Sequence, residues 1–154
     1  MKETSDKLIG IVRNFYEKYQ PLNDKIASVR LSVDKWTLKE IIGHLVDSAS
    51  NNHQRLIRLQ LVDNLIFPDY SADNEKWLKI EKYNSLPWTA ILSLWKEFNI
   101  LIANIILNVN MSCLRNKWLK EDAPIELRDL ILDYVRHLEE HLSRFEDRYH
   151  EISS

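Results

Sequence analysis

Glycine, proline and cysteine are all scarce in this sequence of 154 residues, which contains only 2, 4 and 1 of them, respectively. Glycine and proline form the tight turns that all-β and α/β folds need in large numbers, so their scarcity argues against both classes. The single cysteine, Cys113, rules out an internal disulfide and fits a reducing compartment. A length of 154 residues corresponds to one domain, residues 1–154, and we expect it to consist of a few long helices.

A strong net charge and a long apolar run are also missing. Lysine and arginine number 21 and aspartate and glutamate 23, so the formal net charge is −2 and there is no basic field to bind nucleic acid. The longest apolar stretch, residues 100–107, is interrupted by Asn104 and is shorter than the ~20 residues that cross a membrane. The first residues, Met1 to Ser5, lack the apolar core of a signal peptide. We therefore expect a cytoplasmic protein that binds neither nucleic acid nor a membrane.

Apolar residues recur at three- and four-residue steps in four long segments, which predicts four amphipathic helices. The helices are expected to begin near Ser5, which can act as an N-cap, and near Thr37, Ser85 and Pro124. Residues 74–83 predict a further short helix in the long connection between the second and third helices. Four long helices without strands predict an all-α fold, a four-helix bundle. In such bundles, facing helices build metal sites in the core.

The second helix has the clearest boundary signal in the chain. Thr37 followed by Glu40 is a capping-box sequence, in which each side chain accepts a hydrogen bond from the other residue's backbone amide. A loop through Trp118 and Asp122 is expected before the fourth helix. The charged tail of that helix, residues 144–151, is expected to fray into solvent.

Two histidines four residues apart, His137 and His141, lie on one face of the predicted fourth helix and can ligate one metal ion together. His44, on the second helix, is the candidate for a third ligand. If the two helices run parallel, His44 and the pair can lie at similar depth in the bundle. If the helices run antiparallel, their depths need not match. The alternative interpretation is that two of the three histidines lie on the surface and one lies in the core.

A polar stripe runs along the second helix from His44 through Asp47, Ser48 and Asn51 to Arg55, at spacings of i, i+3, i+4, i+7 and i+11. Asp47 could orient a metal ligand or bind a metal-bound water. Asn51 and Arg55 could hold a carboxylate or an amide of a substrate. A solvated helix face with a surface carboxylate and a salt bridge would give the same pattern.

Residues 137–141 also read as the HxxEH signature of inverted zinc peptidases, in which Glu140 would be the general base. A charged helix produces this string easily, and the surrounding motifs of those enzymes are missing. A metallohydrolase of this type is therefore a remote alternative. Asp133, four residues before His137, could support a metal ligand, although an exposed helical charge explains it better.

Segments spread over almost the whole chain match one known protein family. They are residues 36–48, 51–55, 67–70 and 134–141, together with Trp77, Tyr83, Trp95 and Asn99. On these segments the chain resembles the DinB/YfiT-like metalloenzymes, which are four-helix bundles. The resemblance implies a divalent metal, Zn²⁺ or Ni²⁺, held by His44, His137 and His141 and completed by water.

The activities that the resemblance implies are broader than its metal site. Characterised relatives include thiol-dependent S-transferases that use bacillithiol, mycothiol or glutathione, and a few isomerases and hydrolases. The leading hypothesis is a metal-dependent enzyme that transfers a low-molecular-weight thiol to a small electrophile, with residues 47–55 positioning the substrate. The alternative is a non-catalytic bundle that uses its metal structurally or to sense a ligand. The apolar faces of a bundle also allow a homodimer, which is common among relatives.

Overall fold

The computed structural model describes residues 1–120 and 123–154, and within these ranges it contains four long helices. They are α1 (Lys2–Tyr19), α3 (Leu38–Arg58), α5 (Trp88–Leu107) and α6 (Leu127–Ser153). The connections contain the shorter helices α2 (Asp24–Ala27) and α4 (Asn74–Glu81) and 3-10 turns at Ser71–Asp73, Tyr83–Ser85 and Met111–Cys113. The predicted all-α bundle and its short helix between the second and third long helices are confirmed. Asp122, which the sequence places in a loop, lies outside the described residues.

The four long helices form a ring in which α1 and α3 lie on one diagonal. α1 packs against α5 and α6, and α3 packs against the same two helices. The start of α3 lies beside the end of α6, where Arg148 donates a hydrogen bond to the carbonyl of Trp36 and Lys35 pairs with Glu151 at 3.1 Å. α3 and α6, the helices that carry the three candidate histidines, are therefore neighbours that run antiparallel.

Aromatic rings fill the core between α1, α5 and α6. Phe15 packs edge-on against Trp95 and Phe145, with ring centroids 5.3 and 4.9 Å apart. Trp88 stacks on Phe145 at 5.8 Å. Buried aromatic side chains contribute ~150–250 Å² of buried surface each, so this cluster is a large part of the core. Trp88 and Trp95 are both buried in this core.

The prediction that the chain has no strands is wrong. β1 (Asn64–Leu65) pairs in parallel with β2 (Lys117–Trp118), and β2 pairs antiparallel with β3 (Ile125–Glu126). Strands of two residues are too short to show the alternation by which a strand is recognised in a sequence. The indole N–H of the buried Trp118 donates to the carbonyl of Phe67 at 2.8 Å. The small sheet therefore ties the two long connections together at one end of the bundle.

The predicted starts of the first and fourth helices also need correction. Ser5 is not an N-cap: it is buried inside α1, and its hydroxyl donates to the carbonyl of Ala103 on α5 at 2.7 Å. Pro124 is not in the first turn of α6, which begins at Leu127. The reason is that the two residues before Leu127 extend to pair in the small sheet.

The tail of α6 does not fray as predicted, but stays helical to Ser153. Phe145 is fully buried in the aromatic core, and Arg148 binds the backbone at the start of α3. These contacts place the last turns of α6 beside the start of α3. His141, which precedes those turns, is thereby level with His44 in the second turn of α3.

α5 combines a buried face with exposed leucines. Within the described ranges it alone has the length and composition of a membrane span, but it packs against both α1 and α3 as a core helix. Leu94, Leu101 and Leu107 on its outer side are about half exposed. A homodimer through such a face stays a prediction.

Candidate metal centre

The start of α3 sets the position of His44. Thr37 accepts a hydrogen bond from the Glu40 amide at 3.1 Å, and Glu40 accepts one from the Thr37 amide at 3.0 Å, so the capping box is confirmed. His44 follows two turns after this cap and is only 2% exposed. The ring of Trp36, the residue before the cap, lies 5.2 Å from the His44 ring.

Three histidines from two helices meet in the bundle. Ring centroids lie 4.6 Å apart for His44 and His141, 5.7 Å for His44 and His137, and 4.4 Å for His137 and His141. One ring nitrogen from each lies within 4.8 Å of the others. Zinc–nitrogen bonds of about 2.0–2.1 Å in a tetrahedral site place the nitrogens about 3.4 Å apart. Small side-chain adjustments would therefore let all three share one ion.

The protein holds these imidazoles neutral. Burial, reinforced by repulsion from His137, lowers the pKa of His44 to about 4, and burial with repulsion from His44 lowers that of His141 to about 3. Burial also lowers the pKa of His137. Within the described ranges the Nδ1 atom of His44 is buried without a hydrogen-bond partner. Neutral imidazole is the ligand form of histidine, so the donor set fits a divalent transition metal.

Two cavities adjoin the histidines. The wider one, of about 410 Å³, is lined by His141, Trp36, Arg144 and Arg148 among others. The narrower one, of about 170 Å³, is lined by both His44 and His137. The cluster thus separates two spaces, and a metal bound there could be approached from either side.

The predicted polar stripe on α3 divides into two parts. Ser48 and Arg55 line the narrower cavity. Asp47 and Asn51 do not line it. Asp47 accepts a hydrogen bond from the Tyr83 hydroxyl at 2.6 Å, and the Asn51 side chain donates to the Asp47 carbonyl at 2.9 Å. The structure therefore gives Asp47 and Asn51 partners within the protein and does not bring them to the cavity, so their predicted roles stay untested.

Several residues of the narrower cavity were not predicted. Asn52 lies eight residues after His44, so its helical spacing could have identified it. Tyr70, Trp118, Lys120 and Tyr134 also line the cavity. Tyr70 and the Trp118–Lys120 segment come from the two long connections, and the sequence carries no local signal for where such connections fold.

Glu140 and Asp133 lie on the outer side of α6. Both carboxylates pair with Arg136, and their side chains are 47% and 58% exposed. Glu140 lines neither cavity at the histidines. The general-base role that the HxxEH signature would give to Glu140 therefore has no support in this geometry, and Asp133 is an exposed helical charge at the rim of the narrower cavity.

Replacing Asp47 with asparagine is expected to stabilise the metal-free protein at pH 7.5 by up to about 3 kcal/mol. Burial raises the pKa of the Asp47 carboxyl to about 6, although the hydrogen bond from Tyr83 opposes the shift. The Asp47 carboxyl takes up its proton more readily in the folded protein than in the unfolded chain, so protonation stabilises the folded protein at low pH. This contribution is lost as the pH rises through about 6. Asparagine keeps an acceptor for Tyr83 and removes the buried charge. Urea unfolding in a chelator at pH 7.5 and 4.5, compared with wild type at each pH, measures the effect.

The gain from Asp47→Asn should shrink strongly between pH 7.5 and pH 4.5. Asp133→Asn, which changes an exposed carboxylate, is the matched control and should change stability by less than about 1 kcal/mol at either pH. A loss of stability in Asp47→Asn at pH 7.5 would show that the ionised carboxylate has a stabilising partner.

No protein-family model matches this sequence, and no curated protein matches it significantly. Among solved structures, the chain is similar to YfiT from Bacillus subtilis, a probable metal-dependent hydrolase with an unusual four-helix bundle topology. The TM-score is 0.83 at 16% sequence identity, over 98% of this chain and 86% of that one. At this identity the likeness establishes the fold alone. The resemblance to the DinB/YfiT-like proteins is thereby confirmed at the level of the fold.

Proposed function

We propose that this chain is a divalent-metal-dependent enzyme that acts on a small molecule. The observation that carries the proposal is the position of three neutral imidazoles between two cavities. His44, His137 and His141 would hold the ion through ring nitrogens. Within the described ranges no carboxylate or thiol joins the group, so the remaining coordination positions would be free for water or a substrate. Zn²⁺ and Ni²⁺ are the proposed metals, because imidazole ligands suit both.

The cavities support a catalytic rather than a structural metal. Structural zinc sites are closed by four protein ligands, whereas catalytic sites combine three protein ligands with an open position. Here three histidines gather, and each of them borders a cavity. A non-catalytic bundle with a structural ion would be expected to enclose the ion fully.

The chain's own residues prepare the site for charged reactants. A bound metal would lower the pKa of a water or thiol that it binds, so that this group loses its proton near neutral pH. Trp36 and Tyr70 shield His44 from bulk water, with rings 5.2 and 6.3 Å from its own. Arg144 lines the wider cavity, and its positive charge acts on all three histidines. It can therefore compensate negative charge that develops on a substrate.

The proposed reaction is the transfer of a low-molecular-weight thiol to a small electrophile. The sulfur forms a bond to the electrophilic carbon, the bond to the leaving group breaks, and the leaving group departs with the electron pair. The proton of the thiol goes to solvent. Two separate cavities at the histidines support a reaction between two substrates. Hydrolysis, in which water takes the place of the thiol, is the second candidate, and the likeness to YfiT favours it.

Adding Zn²⁺ or Ni²⁺ to metal-free protein is expected to raise its melting temperature by about 8–16 °C. A ligand that binds only the folded state stabilises it by about 4 kcal/mol at a thousand times its Kd. A protein of this size gains about 2–4 °C per kcal/mol. Scanning fluorimetry measures the shift, which His141→Ala should reduce to about 1–6 °C and the exposed-site control His150→Ala should keep. A full shift in His141→Ala would contradict the proposed ligands.

The reaction itself is tested with metal-loaded protein, glutathione and 1-chloro-2,4-dinitrobenzene, and in parallel with p-nitrophenyl acetate and no thiol. Thiol-dependent turnover that a chelator and His141→Ala both abolish is the expected result. Turnover of the ester alone, with the same dependence on metal, would favour the hydrolase. Turnover that survives both chelation and His141→Ala would contradict a metal-dependent enzyme.

A further inference from the structure

The narrower cavity is a slot that runs along α3 and α6 away from the histidines. On α3 its floor consists of His44, Ser48, Asn52 and Arg55, which recur on one helix face. α3 rises about 1.5 Å per residue, so the Cα atoms of His44 and Arg55 are about 16 Å apart along its axis. On α6 the opposite wall runs from His137 to Leu130. Because the helices are antiparallel, the histidines lie at one end of the slot and Arg55 at the other.

Arg55 is a buried cation whose hydrogen bonds to the described residues leave donors unused. Its side chain is 5% exposed, and its guanidinium lies 3.9 Å from the centre of a ring of Trp118. One terminal nitrogen donates to the carbonyl of Pro68 at 3.1 Å. Within the described ranges the Nε atom is buried without a partner. A guanidinium offers five N–H donors in a planar fork, so a single hydrogen bond to a carbonyl leaves most of this capacity unused.

Among the described residues, the acidic side chain nearest to Arg55 is already paired with another cation. Asp69 lies 3.9 Å from Arg55, beyond hydrogen-bonding distance, but only 2.8 Å from Lys120, which lines the same slot. Asp133, at the rim, pairs with Arg136 on the outer side of α6. Among the residues that the structure describes, Arg55 and Lys120 thus share one carboxylate, that of Asp69.

We propose that this slot binds a small carboxylic acid, with its carboxylate on Arg55 and Lys120 and the rest of the molecule directed along the slot towards the histidines. The inference rests on the proposed function and names its substrate class. The planar fork of Arg55 matches a carboxylate, which can accept two parallel hydrogen bonds from it. The slot holds about 170 Å³, or roughly five to six times the ~30 Å³ that one water occupies in the liquid. A short-chain acid fits this volume.

The subsite is tested on metal-free protein, so that its test does not depend on catalysis. Butyrate is the probe, and butyramide is its uncharged counterpart of the same shape. Binding is followed by the NMR signal of the Trp118 indole N–H, assigned with Trp118→Phe, since Arg55 stacks on this ring. We expect saturable binding of butyrate and at least about tenfold weaker binding of butyramide, because the amide cannot form the charge-assisted pair.

Arg55→Met, which keeps an unbranched apolar stem in place of the arginine methylenes and removes the charged guanidinium, is expected to weaken butyrate binding about tenfold or more. Arg58→Met is the matched control, because Arg58 lies on the same helix but is exposed and bonds to Gln54. It should leave the affinity unchanged. If Arg55→Met fails to fold, Arg55→Lys decides instead: it keeps the charge without the fork and should bind butyrate at least about threefold more weakly.

Equal butyrate affinities in wild type and a folded Arg55 variant would overturn the inference. So would binding of inorganic phosphate in preference to butyrate, since the proposal is specific for a carboxylate. The proposed enzymatic function is tested separately, by the metal-dependent turnover. Arg55-dependent butyrate binding without any metal-dependent turnover would leave the subsite standing and remove the proposed function. Turnover that depends on His141, combined with butyrate binding that does not depend on Arg55, would support the proposed function and overturn the subsite.

Discussion

Replacing His44 with alanine is expected to weaken the binding of Zn²⁺ or Ni²⁺ by about 10²–10³-fold. Four-ligand structural zinc sites bind with about 10–16 kcal/mol, so one ligand contributes roughly 3–4 kcal/mol. Each 1.4 kcal/mol corresponds to about a factor of ten in affinity. His44 is the one ligand that α3 contributes, and within the described ranges no other metal-binding side chain joins the cluster to replace it. Competition with a chromophoric chelator measures the affinity.

The matched control is His53→Ala, on the same helix. His53 points to another face, where its ring lies 5.5 Å from that of Phe98 on α5. Its replacement should leave the metal affinity unchanged. A His44→Ala variant that binds metal as tightly as wild type would show that the ion is held elsewhere or by the α6 pair alone.

The second large effect is expected for Gly43→Ala, which should destabilise the protein by about 2–4 kcal/mol. A Cβ atom on Gly43 would lie 2.2–2.6 Å from three ring atoms of Tyr83. Tyr83 is buried and donates the hydrogen bond to Asp47, so its ring cannot withdraw without breaking that bond. Overpacking costs about 1–3 kcal/mol and an unpaired buried acceptor a similar amount, against about 1 kcal/mol gained from the helix propensity of alanine. Urea unfolding measures the difference.

Two further variants isolate the clash at Gly43. In a Tyr83→Ala background, the effect of Gly43→Ala on stability should change sign. The substitution should then stabilise the protein by up to about 1 kcal/mol, since only the higher helix propensity of alanine remains. Gly10→Ala, in α1, meets no atom within 4 Å and should stabilise the protein by a similar amount in the wild-type background. Persistent destabilisation by Gly43→Ala without the Tyr83 ring would contradict this explanation.

Features governed by helical spacing could be predicted from the sequence. The capping box at Thr37 and Glu40 fixes the start of α3, and its hydrogen bonds are local. The i, i+4 spacing places His137 and His141 on one face of α6, and the structure brings His44 to them. The helical rule also places Ser48 and Arg55 on the face of His44, where both line the slot.

Features that depend on how helices and connections pack could not be predicted in this way. The antiparallel pairing of α3 and α6 brings the histidines level, and the end of α6 is anchored by the burial of Phe145 and by the hydrogen bond of Arg148. The partner of Asp47 is Tyr83, 36 residues away, and no local pattern joins the two. The stacking of Arg55 on Trp118 likewise depends on a sheet whose strands are two residues long.

The metal content of untagged protein, purified without added metal and measured by elemental analysis, tests the three-histidine site most directly. Wild type and His53→Ala should contain about one Zn²⁺ or Ni²⁺ per chain, and His44→Ala should contain almost none, because one missing ligand lowers the affinity by about 10²–10³-fold. Wild-type protein without metal, or a His44→Ala variant with as much metal as wild type, would contradict a metal centre built from His44, His137 and His141.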